Sequence, residues 1–205
     1  MGLKSARGTV VNFAIFQVVY FACVIGAARG NAWIGPLVGL ALLPINLAFI
    51  ADRGRALRFW LLVGAVGTAL DSILVATGVL AFPPGARLAP EALWTTSFVP
   101  LWIATLWIAL GTLLTSSLAW LGPRPLLAAL LGAAGGAFSF WSASRLGATE
   151  LPSVAVGVTA LAVEYALLLP ILAGAAPRPD EHAAEPLAPE EPPQTDTTTA
   201  STATR

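Results

Sequence analysis

Six apolar runs organise this chain, and none contains more than one Asp, Glu, Lys or Arg. They cover residues 9–28, 34–50, 59–82, 100–121, 125–144 and 152–173. An apolar run near 18 residues or longer reads as a transmembrane helix, because about 20 residues cross a hydrocarbon core of roughly 30 Å. The runs are apolar all round and do not alternate, so helices are expected rather than barrel strands. A helix also satisfies its backbone donors and acceptors internally, which lipid demands. Pro36, Pro100, Pro125 and Pro152 stand near the expected starts. Proline suits a first turn, where its missing N–H would be unpaired anyway. Pro44 lies inside the second run, and the expectation there is a kink. The fold class is therefore an all-α bundle of six transmembrane helices. The first run is read as a retained helix rather than a cleaved leader, since Asn12 and Gln17 interrupt it.

What lies outside the runs narrows the chemistry. The chain has one Cys and one His, too few for a zinc site, a haem clamp or an iron–sulfur cluster. His182 falls in a polar stretch, away from any partner for a Ser–His–Asp triad. No cofactor and no metal are expected. With Lys and Arg totalling 11 against 11 Asp and Glu, and no basic block, nucleic acid is not an expected partner. The lipid bilayer is.

That neutral total hides two unlike parts. Residues 174–205 hold six acids, two arginines, six prolines and six threonines, a net charge of −4. Such a segment has too little apolar surface to order itself, so a disordered acidic tail is expected. Residues 1–173 hold nine basic and five acidic residues, a net charge of +4, and form the expected membrane domain. Alternating the loops puts Lys4, Arg7, Arg53, Arg55, Arg58, Arg124, Arg178 and Arg205 on one side, and Arg29, Arg87 and Arg145 on the other. The excess marks the cytoplasmic side, with both termini there.

An ionisable side chain at a helix centre costs about 2.5–3.5 kcal/mol on insertion scales. Asp71 lies midway along the third run and Glu164 close to midway along the sixth. Two carboxyls at one depth meet if those helices pack together, and the pair suits proton coupling, a cation site or general acid work. Asn12, Gln17, Asn46 and Ser72 are further candidates for the same interior. Thr68 precedes Asp71 by three residues, on the same helix face. Ser and Thr in membrane helices also bond their own turn or a neighbouring helix. Arg53, Arg55 and Arg58 are candidates for contact with anionic headgroups. Arg29 and Arg145 end the first and fifth runs, where they either snorkel to the interface or clamp an anionic group. Trp33, Trp60, Trp94, Trp120 and Trp141 fall near run ends and read as an interfacial belt. Trp102 and Trp107 sit deeper, as lipid-facing or packing bulk, or as the wall of a ligand site.

Several strings resemble a known family. Asn12 and Phe13 with Phe16 and Gln17 lead to Phe21, Ala22 and Cys23 in the first run. Leu70, Asp71 and Ser72 precede Gly78, Val79, Leu80 and Phe82 in the third. Pro100, Leu101 and Trp102, then Leu106 and Trp107, open the fourth. Leu131, Gly132 and Ala133 with Gly135 and Gly136, then Leu146, Gly147 and Ala148, mark the fifth. Together these resemble domain of unknown function 2878, over nearly all of residues 9–173. The resemblance implies a small polytopic protein of a bacterial inner membrane, with lipid or fatty-acid-modifying enzymes as partners. It brings no established reaction. The expected role is transport-like or lipid-handling, around a midplane carboxylate site. The alternatives are an intramembrane enzyme acting on lipid chains, disfavoured by the missing His clusters, and a scaffold for soluble lipid-modifying enzymes.

Overall fold

The computed structural model describes residues 3–87 and 98–177. Six α-helices follow in chain order: α1 (Leu3–Ala28), α2 (Ile34–Leu42), α3 (Arg53–Ala76), α4 (Leu101–Leu114), α5 (Pro125–Leu146) and α6 (Val154–Ala175). Among the described residues there is no strand. Four segments, Ala6–Ala28, Arg53–Ala76, Pro125–Leu146 and Val154–Ala175, are long and apolar enough to cross a membrane. Ile34–Phe49 and Leu101–Leu114 are shorter apolar helices. Leu40, Leu126 and Ile171 are among many large apolar side chains left exposed. In water such a surface would be a liability; in lipid it is the ordinary outer face.

The helices depart from the apolar runs where single residues override composition. α2 stops at Leu42, and Leu43–Phe49 continue as a 3₁₀ segment. Pro44 offers no N–H to the preceding turn, so the expected kink is a change of helix type. α3 begins at Arg53 rather than near 59, because Asp52 caps it: Asp52 Oδ1 accepts the Arg55 N–H at 3.0 Å. Arg53, Arg55 and Arg58 thus lie in the first turns of a helix, not in a loop. α3 also ends early, at Ala76, and Gly78 turns the chain with φ +72°. Residues 77–82, expected within a span, leave the helix, and Ala81 pairs antiparallel with Glu150 (N···O 2.9 and 2.7 Å). That bridge fastens the α3–α4 connection to the α5–α6 connection. α4 ends at Leu114, short of the expected 121, and Ala119–Leu121 form a 3₁₀ turn before α5. Trp94 and the stretch 178–205, with its expected disorder, lie outside the described residues.

Packing pairs α3 with α4, α5 with α6, and α1 with both α2 and α4. Missing side chains allow the closest approaches. A Cβ on Gly35 would collide with Cys23, one on Gly67 with the Trp107 ring, and one on Gly136 with the Tyr165 ring. Lipid supplies no hydrophobic drive between helices, so close van der Waals contact of this kind holds them together. Trp60 is buried and donates its indole N–H to Thr115 Oγ1 at 2.9 Å. It therefore belongs to the core, not to the interfacial belt. Trp33, Trp120 and Trp141 do stand exposed.

Candidate functional site

Asp71 sits on the inner face of α3 with no exposed surface. Trp107 of α4 donates its indole N–H to Asp71 Oδ2 at 2.7 Å. The Trp107 ring stacks on Tyr165 of α6, with centroids 4.7 Å apart and planes at 23°. Phe140 of α5 also packs against Tyr165, edge to face, at 6.3 Å and 66°. This aromatic chain connects α3 and α4 to α5 and α6 at the depth of the carboxyls. Glu164 precedes Tyr165 on α6 and lies within electrostatic reach of Asp71. Asp71 Oδ1, Thr68 Oγ1 and both carboxyl oxygens of Glu164 are buried with no hydrogen-bond partner. A carboxylate oxygen only accepts hydrogen bonds, whereas a threonine hydroxyl can also donate, so Asp71 Oδ1 and both Glu164 oxygens each lack a donor while the Thr68 hydroxyl has no partner of its own.

The other expected polar residues divide. Ser72 is committed to backbone: its hydroxyl donates to Thr68 O at 2.7 Å and accepts the Val99 N–H at 3.3 Å. It ties α3 to the residue two before the start of α4. Asn12 and Asn46 meet each other, in a separate knot near the C-terminal end of α4. Asn12 Nδ2 donates to Asn46 Oδ1 and Thr112 Oγ1, both at 3.1 Å. Asn12 Oδ1 accepts from the Ser117 hydroxyl at 2.6 Å and the Ser117 N–H at 3.3 Å. Asn46 Nδ2 is buried and unpartnered. Gln17 is half-buried and joins neither group.

The arginines lie at the helix ends. Arg53, Arg55 and Arg58 are exposed, and Arg55 pairs with Asp52 at 3.5 Å. Arg55 and Arg58 border a cavity of about 550 Å³ with Phe59, Leu62 and the end of α6. Arg29 and Arg145 are exposed at the other end, after α1 and in the last turn of α5.

Trp102 and Trp107 are both buried, so neither faces lipid. Trp102 donates to Ala86 O at 3.0 Å, which ties α4 to the turn Pro84–Ala86. Both rings border an apolar cleft of about 300 Å³ between α1, α4, α5 and α6. Tyr165 lines the same cleft, so the Trp107–Tyr165 stack is the partition between it and Asp71. The sequence pointed to the carboxyls by depth alone. Trp107 as the donor to Asp71, and Ser117 as a partner of Asn12, were not indicated. An indole and a carboxyl 36 residues apart carry no local signal of pairing. Among the described residues no group of three or more His, Cys, Asp or Glu is placed to hold a metal ion.

Comparison with known proteins adds the family. A family model described as protein of unknown function (DUF2878) matches residues 9–171, so the chain belongs to that family. No curated protein and no solved structure matches.

Proposed function

We propose that this member of the DUF2878 family is a multi-pass membrane protein, transport-like or lipid-handling, whose Asp71 and Glu164 take up a proton or a small cation near the bilayer midplane. One observation carries the reading: Asp71 Oδ1, Thr68 Oγ1 and both Glu164 oxygens are buried without a partner. Leaving a buried polar atom unmet costs about 1–3 kcal/mol. Intramembrane ionisable residues are a functional hypothesis by default, because they are expensive to keep. A proton on either carboxyl, or a cation between them, supplies what the cluster lacks. The Trp107–Tyr165 stack separates it from the apolar cleft and holds Asp71 in place.

The finer placement belongs to the same proposal. The two shorter apolar helices complete six spans, making 1–173 the membrane domain and 174–205 an acidic tail. Arg53, Arg55, Arg58 and Arg124 face the cytoplasm, and Arg53, Arg55 and Arg58 contact anionic headgroups, in a bacterial inner membrane. The test is proton flux into proteoliposomes driven by a potassium diffusion potential and read with an enclosed pH dye. The full chain should pass protons above the rate of empty liposomes, and Asp71→Asn and Glu164→Gln should each lower that rate at least tenfold. Flux no greater than empty liposomes, or unchanged flux in both variants, sinks the carboxyl reading.

A further inference from the structure

The groove where α3 begins and α6 ends borders neither carboxyl, and what occupies it does not depend on the carboxyl reading above. We propose that it is the docking site of this chain's own acidic segment, residues 180–191, held by Arg55 and Arg58. Packing leaves the space. α3 packs on α4 and α6 on α5, so the first turns of α3 and the last turn of α6 enclose a groove between them. Its volume, about 550 Å³, lies within the range of sites that enclose a small ligand. One wall is cationic and the floor is apolar, formed by Phe59 and Leu62.

The cations of that wall are available. Arg55 and Arg58 stand three residues apart on α3, about 4.5 Å along the axis and on one face. Both are exposed. Among the described residues Arg55 with Asp52 is the ion pair found, at 3.5 Å, so Arg58 is unpaired. A guanidinium offers five donors, and one contact with Asp52 leaves Arg55 with several to give. Carboxylates are the side chains that match such a fork.

Chain length and charge select the occupant. Pro177 borders the groove itself, and the acidic segment begins three residues later. Residues 180–191 hold Asp180, Glu181, Glu185, Glu190 and Glu191 and no Lys or Arg. At 3.3–3.6 Å per residue, Asp180 comes within about 11 Å of Pro177 and Glu185 within about 29 Å, enough to fold back over Arg55 and Arg58. Leu187, the large apolar residue of the segment, matches the floor of Phe59 and Leu62. A single exposed ion pair contributes little. A segment tethered this closely, however, meets the groove at an effective concentration on the order of millimolar. The net charges of +4 on residues 1–173 and −4 on residues 174–205 favour the same contact. A second copy would bring a groove of like charge. Anionic headgroups would compete with the segment for the same two arginines.

The experiment uses the full chain, one copy per nanodisc, in phosphatidylcholine, which brings no anionic headgroup to compete. A nitroxide at Ala183→Cys reports motion by electron paramagnetic resonance, and the chain's own Cys23 is buried. The slow-moving share of the spectrum should fall at least threefold in Arg55→Gln with Arg58→Gln. It should fall as far with Asp180→Asn, Glu181→Gln, Glu185→Gln, Glu190→Gln and Glu191→Gln together. That second set leaves the helices untouched and serves if the arginine variant does not yield monodisperse protein. Location is read from a disulfide between Gly54→Cys and Ala188→Cys. A Cβ at Gly54 meets Asp52 Oδ1 at 3.8 Å, ordinary contact, so the side chain fits. The disulfide should form within one chain, at least fivefold faster than in the variant without the five acids. Equal motion at Ala183→Cys in the parent and the charge-neutral variants overturns the proposal. So does a disulfide rate that the acids do not change, or slow motion that appears only with two copies per nanodisc, which would assign the groove to a second chain. None of these changes touches Asp71 or Glu164, so this result and the flux result fail separately.

Discussion

Trp107 donates the hydrogen bond that Asp71 Oδ2 receives, and its ring also packs against Gly67 and Tyr165. Trp107→Phe keeps most of the ring contact and removes the donor. It should lower stability by about 1–3 kcal/mol, the range for stranding a buried polar group, read as a shift in detergent unfolding. Replacing both partners, Trp107→Phe with Asp71→Leu, should cost less than the sum of the single changes, because no acceptor is then left unmet. A sum equal to the singles would mean that the bond contributes nothing. The Asn12 knot should behave differently. Asn12→Ala removes the acceptor of the Ser117 hydroxyl and the donor to Asn46 and Thr112. A loss of about 1–3 kcal/mol is expected, with proton flux per folded molecule unchanged. Lost flux at full stability would move Asn12 into the functional cluster. At this scale the sequence showed which side chains were too polar for their depth. It could not show that Asn12 is met by Asn46, Thr112 and Ser117 while the Glu164 oxygens are met by nothing, because those partners are set by packing between distant segments.

The helices were legible wherever apolar composition ran unopposed, and illegible where one residue changed the backbone's options. α5 and α6 follow their runs to within two residues at each end. Asp52 and Pro44 are the counterexamples: a carboxylate cap carried α3 outward past three arginines, and a missing N–H turned the end of α2 into 3₁₀. The contact between α5 and α6 was only half legible. Gly132, Gly135 and Gly136 look alike in sequence, yet they stand in three environments. A Cβ at Gly132 would meet the Tyr165 backbone oxygen, one at Gly136 the Tyr165 ring, and one at Gly135 nothing. Gly132→Ala and Gly136→Ala should therefore each cost about 1–3 kcal/mol through overpacking. Gly135→Ala should be neutral or gain up to about 1 kcal/mol from helix propensity. Unfolding of the three variants under one set of detergent conditions decides it. Equal effects would mean that helix propensity alone is being measured.

For the whole molecule, the distribution of charge makes a claim that the helix packing leaves open. Successive helices alternate in direction, and the connections Ala81 and Glu150 meet at one end through their backbone bridge. Arg29, Arg87 and Arg145 belong to that end. Arg53, Arg55, Arg58 and Arg124 belong to the opposite one. Short loops rich in Lys and Arg stay on the cytoplasmic side, so the second end should face inward. Single cysteines test this directly, because the chain's own Cys23 is buried and sits too deep to meet an impermeant thiol reagent. Ala51, Pro123, Pro84 and Ser153 are exposed in the connections. Ala51→Cys and Pro123→Cys should resist such a reagent in intact spheroplasts and react once the membrane is opened. Pro84→Cys and Ser153→Cys should react in both states. If Ala51→Cys and Pro123→Cys react in intact spheroplasts while Pro84→Cys and Ser153→Cys do not, the molecule is inverted, and Arg29 and Arg145 would meet the cytoplasmic leaflet. If Ala51→Cys and Ser153→Cys label alike, the shorter helices Ile34–Phe49 and Leu101–Leu114 do not both cross, and the six-span arrangement fails.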